Sequence, residues 1–212
     1  FDDNYLDQSV NLMLSVAKYH PSGVSFVCTC PVLKESSIDI LMGLPIGVQV
    51  KCYDFALDLE MGRWALSAVL RLFSPWLLSE DIHRVLYMDS DILCSGSLRE
   101  LFDTNVPCIA MCNEISGNTG KYQQDVIRPI LPTHIYCNSG VVLFNLDYLR
   151  QNHSFNEVFS ELLRRNGVFH YLDQDLLNVY FRDNLLLFII TVKIQRKLPV
   201  YKIIIDQRKS GC

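Results

Sequence analysis

At 212 residues, half of them apolar and a fifth charged, the chain can bury one sizeable core, and a single domain is the default. Its formal net charge of −4 argues against a general nucleic-acid binder, which would carry a basic face. It does not exclude a small phosphorylated ligand held by a metal and a few local donors.

The opening, Phe1-Asp2-Asp3-Asn4-Tyr5, sets acidic and amide residues beside an aromatic ring. Behind it Leu6, Val10, Met13, Leu14 and Ala17 fall at helical spacing, ending at Pro21-Ser22-Gly23. Asp3 or Asn4 is a natural cap for that helix. The functional alternative is a loop that holds a nucleoside, with Tyr5 stacked on the base and an acid on ring or ribose atoms.

Val24 to Cys30 reads as a buried strand, Lys34 to Met42 as a short helix and Val48 to Tyr53 as an alternating strand. This order implies an α/β fold, a mostly parallel sheet flanked by helices on both faces. Ligands of such sheets gather at the carboxyl ends of the strands. Arg63 to Leu78 follows as a strongly apolar helix with Pro75 near its end. Within it Arg71 stands between Leu70 and Leu72. Either its stem covers the core edge while the charge snorkels to water, or its guanidinium reaches a phosphate or an aspartate.

The most informative stretch is Arg84-Val-Leu-Tyr-Met-Asp89-Ser90-Asp91-Ile-Leu93. A short apolar run leads into two aspartates one residue apart. On an extended backbone residues i and i+2 share a side, so Asp89 and Asp91 can converge with Ser90 turned away. Such a pair suits Mg²⁺ or Mn²⁺, which commonly take one or two protein carboxylates plus substrate phosphate oxygens. Like charges 4 Å apart repel by roughly 4 kcal/mol at an effective dielectric near 20, against about 1 in water. A partly buried pair therefore needs a cation; a fully wet one is only a polar turn.

Ser97 to Glu100 is a capping box opening a short helix, and Pro107 to Met111 is another buried strand. Asn113 to His134 is a polar, proline-broken loop with room for one helical stretch, a lid or disorder. Asn138-Ser139-Gly140 then enters an apolar strand, which suggests close approach of the backbone to something, or an ordinary turn. Ser154 to Glu157 is a second capping box, opening a helix that ends near Asn166-Gly167. In Tyr171-Leu-Asp173-Gln174-Asp175-Leu-Leu-Asn178, Asp173 fits as an N-cap with Gln174 and Asp175 in the acid-friendly first turn. That leaves Gln174 without a structural need.

Eight cysteines invite a disulfide framework. Yet Cys28, Cys30, Cys52, Cys94, Cys108, Cys112 and Cys137 lie mostly inside apolar segments, with neither zinc-site spacing nor a signal-peptide pattern. Buried, reduced thiols in a cytoplasmic protein are expected. The longest apolar run, Leu185 to Val192 with Thr191 inside it, falls far short of the ~20 residues of a spanning helix, so no membrane anchor is expected.

Taken together, Asp2-Asp-Asn-Tyr5, Tyr87-Met-Asp-Ser-Asp91, Asn138-Ser-Gly140 and Asp173-Gln-Asp175-Leu-Leu-Asn178 stand in an order that resembles glycosyltransferase family 8, over roughly residues 1 to 181. The family contains bacterial lipopolysaccharide galactosyl- and glucosyltransferases and glycogenin. The resemblance implies a GT-A fold, a UDP-sugar donor, Mn²⁺ (or Mg²⁺), a saccharide acceptor and retention of anomeric configuration. It places Asp2, Asp3, Asn4 and Tyr5 in the uridine-binding loop and Arg71 on the donor. Asp89 and Asp91 become metal ligands, with Ser90 between them in the donor-contacting turn. Asn138 and Ser139 become sugar and acceptor-side contacts, Asp173 the carboxylate on donor-sugar hydroxyls, and Gln174 the residue beneath the anomeric carbon. The chemistry suits those residue types: a diphosphate leaving group needs its charge neutralised, and an oxocarbenium-like centre needs an electron-rich, uncharged oxygen, which an amide supplies. A carboxylate nucleophile is the glycosidase solution, and Asp173 is its candidate here.

Two departures qualify the resemblance. The strand that precedes the first loop in the family is absent but for Phe1. The late His-x-x-Gly-x-x-Lys-Pro-Trp-like segment, with a third metal ligand and a diphosphate-binding lysine, has no counterpart after His170. The expected organisation is a catalytic domain over 1–184 and a divergent tail over 185–212, produced by a frameshift or early stop that the other reading frames would reveal. The tail carries six Lys/Arg against one acidic residue, a route to peripheral contact with an anionic membrane surface or simply a solvated end. Two functions of different class follow: a metal-dependent retaining hexosyltransferase, or an inactive remnant with weak or no UDP binding. A nucleotidylyltransferase would want a Gly-rich phosphate loop near the amino end, and the chain shows none.

Overall fold

The computed structural model describes residues 1–53, 69–114, 120–132, 135–165, 167–188, 191–194 and 201–204. A 3-10 turn (Asp3–Tyr5) leads into helix α1 (Leu6–Tyr19), which buries Leu12, Met13 and Val16. Strand β1 (Ser25–Cys30), helix α2 (Glu35–Met42) and strand β2 (Gly47–Cys52) follow the apolar spacing closely. With a helix as crossover, β1 and β2 pair in parallel.

Farther along come β3 (Arg84–Met88), β4 (Ile92–Cys94), β5 (Ile109–Asn113), β6 (Cys137–Asn145) and β7 (Leu185–Phe188). The central sheet has the order β3-β6-β5-β7. Its β3–β6 and β5–β6 pairs are antiparallel and its β5–β7 pair is parallel. The α/β class holds, but the sheet is mixed rather than mostly parallel. Between β5 and β6 the described residues supply only a short helical segment, Gly120–Tyr122 running into a π-turn at Gln123–Ile127. β6 returns beside β5 in the opposite direction. Leu185–Phe188, assigned from sequence to the tail, is the edge strand of this sheet. A smaller sheet joins β4 in parallel to β9 (Tyr201–Ile204), itself antiparallel to β8 (Thr191–Ile194).

The central strands read as continuous apolar runs because both sheet faces are covered. Val85 and Tyr87, Ile109 and Met111, Val142 and Phe144, and Leu185 and Leu187 face one core. That core is closed by the Leu70–Phe73 turn and helices α3 (Leu146–Asn152), α4 (Phe155–Arg165) and α5 (Leu172–Tyr180). Their alternates, Leu86, Met88, Ala110, Cys112, Val141, Leu143, Leu186 and Phe188, face a second core with Leu12 and Val16 of α1. This is period-two alternation with no polar face.

One irregularity interrupts it. Met111 pairs with Val142 but Cys112 pairs with Asn138, so Ser139, Gly140 and Val141 have no opposite residue on β5. An odd number of extra residues exchanges the faces of what lies beyond. Val141 points to the α1 side, whereas Cys137 belongs to the helix-side core and Ser139 reaches α5.

Local signals were realised unevenly. Ser154 and Glu157 form the full capping box: Ser154 N–H donates to the Glu157 carboxylate at 2.7 Å and Glu157 N–H to Ser154 Oγ at 3.2 Å. At Ser97 the hydroxyl instead accepts from Arg99 N–H. The helix expected over Arg63 to Leu78 is a 3-10 turn at Leu70–Phe73 followed by one α-turn at Ser74–Leu77, with Pro75 in its first turn; residues 63–68 lie outside the described ones, as do 115–119 and 133–134 of the expected loop. Cys28, Cys30, Cys94, Cys108 and Cys137 are buried and free, while Cys52 is exposed. Among the described residues no helix is long and apolar enough to cross a membrane.

Candidate active site

Arg71 sits at the centre of the polar constellation. It is buried, at 6% exposure, so the snorkelling alternative is ruled out. Its Nη1 lies 3.0 Å from Asp89 Oδ1 and its Nε 3.0 Å from Asp173 Oδ2. Nη1 also donates to the Ser139 carbonyl at 2.7 Å, and the guanidinium lies over the Tyr87 ring, 4.3 Å from its centroid. Only a planar fork can serve partners in three directions while stacking on a ring. Burial works against the charge, but Tyr87, Asp173 and Asp89 outweigh it and keep Arg71 firmly protonated. For Asp173 the balance falls the other way. Burial raises its pKa, and the Arg71 charge offsets this only in part.

α5 supplies the floor. Its N-cap is Tyr171, without a side-chain capping bond, so Asp173 is not the cap that its position in the first turn suggested. Its carboxylate is turned inward to Arg71 and accepts from Ser139 Oγ at 3.2 Å; a buried ion pair attracts more strongly than orphan helix amides near water do. Gln174 accepts at Oε1 from Ser139 N–H at 2.9 Å and donates from Nε2 to Tyr136 Oη at 3.1 Å. Asp175 is fully buried. It accepts from the Tyr122 and Tyr136 hydroxyls and from Tyr171 N–H. Burial lifts its pKa to about 6, against the pull of those donors. One turn on, Asn178 brackets Cys137, accepting from its N–H at 2.7 Å and donating to its carbonyl at 2.8 Å. This docks α5 on the start of β6.

β3 delivers the aspartates. Its last pairing runs past Met88, with Asp89 N–H donating to the Gly140 carbonyl at 2.8 Å. Residues 89–92 then form a turn closed by Ile92 N–H to the Asp89 carbonyl. An extended backbone is therefore not what brings the two acids together; the turn does. Asp89 Oδ1 accepts from Tyr87 Oη at 2.8 Å as well as from Arg71. Asp91 is exposed at the turn tip, and Ser90 lies between the two. Partial removal from water and then the charge of Asp89 raise the pKa of Asp91. Asp89, Asp91 and Asp173 thus gather around Arg71 with net negative charge. Oδ2 of Asp89 and both oxygens of Asp91 suit a hard divalent cation. Among the described residues no group of three His, Cys, Asp or Glu side chains is placed to hold a metal ion together; such cations commonly complete their shells with phosphate oxygens and water.

The Asp2–Tyr5 loop is organised separately. Asp2 caps the 3-10 turn by accepting from Asn4 N–H at 2.9 Å. Asp3 caps no part of α1; it accepts from Ser37 Oγ at 2.6 Å and Lys34 N–H at 3.2 Å, which ties the loop to the start of α2. The Ser37 bond holds its pKa below the usual range. Tyr5 is half exposed. This loop stands at the end of β1, which lies beside the Leu70–Phe73 turn that carries Arg71. Asn138 donates to Glu114 at 2.8 Å and accepts from Gly140 N–H at 2.8 Å.

Sequence reasoning overlooked Tyr87, Tyr136 and Glu114, and read Asp175 as a first-turn acid. Tyr87 carried a signal, since it lies two before Asp89 on one strand face; Tyr136 carried none. Gly140 has a plain reason: a Cβ there would lie 2.9 Å from both Asn138 Oδ1 and Asp89 Oδ2. Both atoms belong to groups already held by hydrogen bonds. Gly140→Ala is expected to cost roughly 1–2 kcal/mol, in the range of overpacking, readable as a lowered melting temperature. A melting temperature equal to wild type would mean that this contact does not constrain Asp89.

The profile of the family described as Glycosyl transferase family 8 matches residues 1–190. The lipopolysaccharide 1,2-glucosyltransferase of Escherichia coli K12 is 29% identical over 56% of this chain and 36% of its own length. A second E. coli protein of that name is 26% identical over 85% of this chain and 56% of its own length. The chain thus spans between about a third and a little over half of these relatives. The crystal structure of galactosyltransferase LgtC with donor and acceptor sugar analogues superposes with a TM-score of 0.73 at 22% identity, over 89% of this chain and 71% of LgtC. The shared architecture is the GT-A fold.

Proposed function

The chain belongs to glycosyl transferase family 8, and on that premise we propose that it is a retaining hexosyltransferase. It moves galactose or glucose from a UDP-sugar to a saccharide acceptor. The observation that carries this reading is the Arg71 fork, which ties the Asp89–Asp91 turn to Asp173 of α5 and, through Ser139, to Gln174. Residues scattered over the chain are gathered on one polar cluster at the end of β3, at the edge where open α/β sheets bind ligands.

In this reading Asp2, Asp3, Asn4 and Tyr5 receive uridine, with the exposed Tyr5 ring on the base. Asp89 and Asp91 would hold Mn²⁺ or Mg²⁺, and Ser90 lines the same turn. The cation supplies charge neutralisation for the departing diphosphate. Arg71 holds the Asp89 and Asp173 carboxyl groups in position. Asp173 accepts hydrogen bonds from donor-sugar hydroxyls; Asn138 and Ser139 line the sugar and acceptor side. As the bond from C1 to the diphosphate breaks, its electron pair leaves with UDP; the acceptor oxygen bonds to C1 on the same face, and its hydroxyl proton passes to the departing diphosphate oxygen. Gln174 Oε1 faces the developing positive charge as a neutral oxygen. An oligosaccharide acceptor of the lipopolysaccharide type is proposed by analogy with the relatives; a cytoplasmic location with peripheral membrane contact is proposed from the thiols and the basic tail. The catalytic domain is taken to include β7.

The test is turnover of UDP-glucose and UDP-galactose, with and without Mn²⁺, for wild type and Asp91→Ala. Wild type should require the added cation, and Asp91→Ala should lose roughly a hundredfold in kcat. Turnover indifferent to both cation and substitution overturns this assignment of the site. No turnover or UDP binding under any condition favours an inactive remnant.

A further inference from the structure

We propose that Tyr136 and Asp175 are positioning residues: together they hold the side-chain amide of Gln174 in one orientation, with Oε1 toward Ser139 and the Arg71 cluster and Nε2 away from it. The inference rests on the role given above to Gln174 and says how that role is enforced.

The argument is one of hydrogen-bond direction. Asp175 is fully buried, and as a carboxylate it only accepts. Tyr136 has one hydroxyl hydrogen, and it is directed to Asp175 Oδ1. The Tyr136 oxygen is thereby left as an acceptor, and the group 3.1 Å away must be a donor, the Nε2 of Gln174. At the other end of the amide, Ser139 N–H can only donate, and it meets Oε1 at 2.9 Å. A flipped amide would set oxygen against the Tyr136 lone pairs and N–H against N–H, losing both bonds in a buried setting. Asp175 is itself fixed by Tyr122 Oη and Tyr171 N–H. The backbone beneath Gln174 is held by Asn178 Nδ2 on the Gln174 carbonyl at 2.8 Å. Asp175 has no exposed surface with which to meet a sugar, so its effect passes through Tyr136.

The test is a double-mutant cycle on UDP-hexose turnover with Mn²⁺. Tyr136→Phe keeps the ring and removes only the oxygen; kcat should fall roughly tenfold while KM for the UDP-sugar stays within about twofold. In a Gln174→Ala background the same substitution should cost nothing further, because the amide it orients is gone. Asp175→Asn, placed in the same cycle, should show the same lack of additivity. Independently of turnover, the Gln174 side-chain amide proton should exchange slowly in the wild-type NMR spectrum and rapidly in Tyr136→Phe. Full additivity, or an unchanged amide signal, overturns the positioning role and leaves the hexosyltransferase reading standing. Wild-type kcat in Gln174→Ala overturns both.

Discussion

Arg71→Met is expected to destabilise the fold by roughly 3–5 kcal/mol, the usual cost of removing one partner of a buried ion pair. For a chain of this size that is a fall in melting temperature on the order of ten degrees. Asp173, at 5% exposure, would be left with a charge and no cation, and Asp89 would lose one of the two donors on Oδ1. Arg71→Lys should recover only a small part of the loss. A point charge cannot reach Asp89, Asp173 and the Ser139 carbonyl together or stack over Tyr87 in the same way. Arg71→Met combined with Asp173→Asn should recover more, because it removes the stranded charge. If Arg71→Met melts with wild type, the guanidinium is not what holds the aspartates in place.

A pH titration of stability should single out Asp175. Its folded pKa is raised to about 6 by burial, from an ordinary 3.8. The folded state therefore binds the proton more tightly than the unfolded chain does. The associated stability is fully present below the unfolded value, near pH 4, and is lost as pH rises through about 6. A gap of about two pKa units corresponds to about 3 kcal/mol. The groups facing this carboxyl are the hydroxyls of Tyr122 and Tyr136, the Tyr171 N–H and the charge of Asp173. Asp91 and Asp173 are shifted in the same direction, and Asp3 and Glu157 in the opposite one. The informative quantity is therefore the difference between wild type and Asp175→Asn. Wild type should lose ground to the variant steadily between pH 4 and 7, and parallel stability curves would refute the buried-charge account.

The residues also show why some parts of this architecture could be read directly and others could not. Strands β3, β5 and β6 are legible because burial on both faces demands continuous apolar runs, and the Ser154–Glu157 box because its two bonds close within one turn. Arg71 looked ambiguous for the opposite reason. Its Ser139 contact lies 68 residues away, and no local pattern distinguishes a guanidinium that snorkels from one that anchors. Asp173 was misread as a cap by the same local logic, which sees an acid in a first turn but not the buried cation opposite it. Asp89 and Asp91 were expected to converge from an extended backbone, whereas a turn closed by Ile92 N–H on the Asp89 carbonyl stands there. Strand direction failed at β6, which pairs antiparallel to both β3 and β5 where a mostly parallel sheet was expected.

The three residues of β6 without an opposite residue on β5 have a consequence for how this surface tolerates change. From Val141 onward the strand obeys the needs of the two cores, while Asn138 and Ser139 obey the polar cluster, and the interruption lets the two halves differ in parity. Side chains on the core half can be exchanged among apolar shapes without disturbing the aim of Ser139. Chain length between Asn138 and Val142 has no such freedom: one residue more or fewer would leave an intact interior and turn the polar end of the strand to the wrong side.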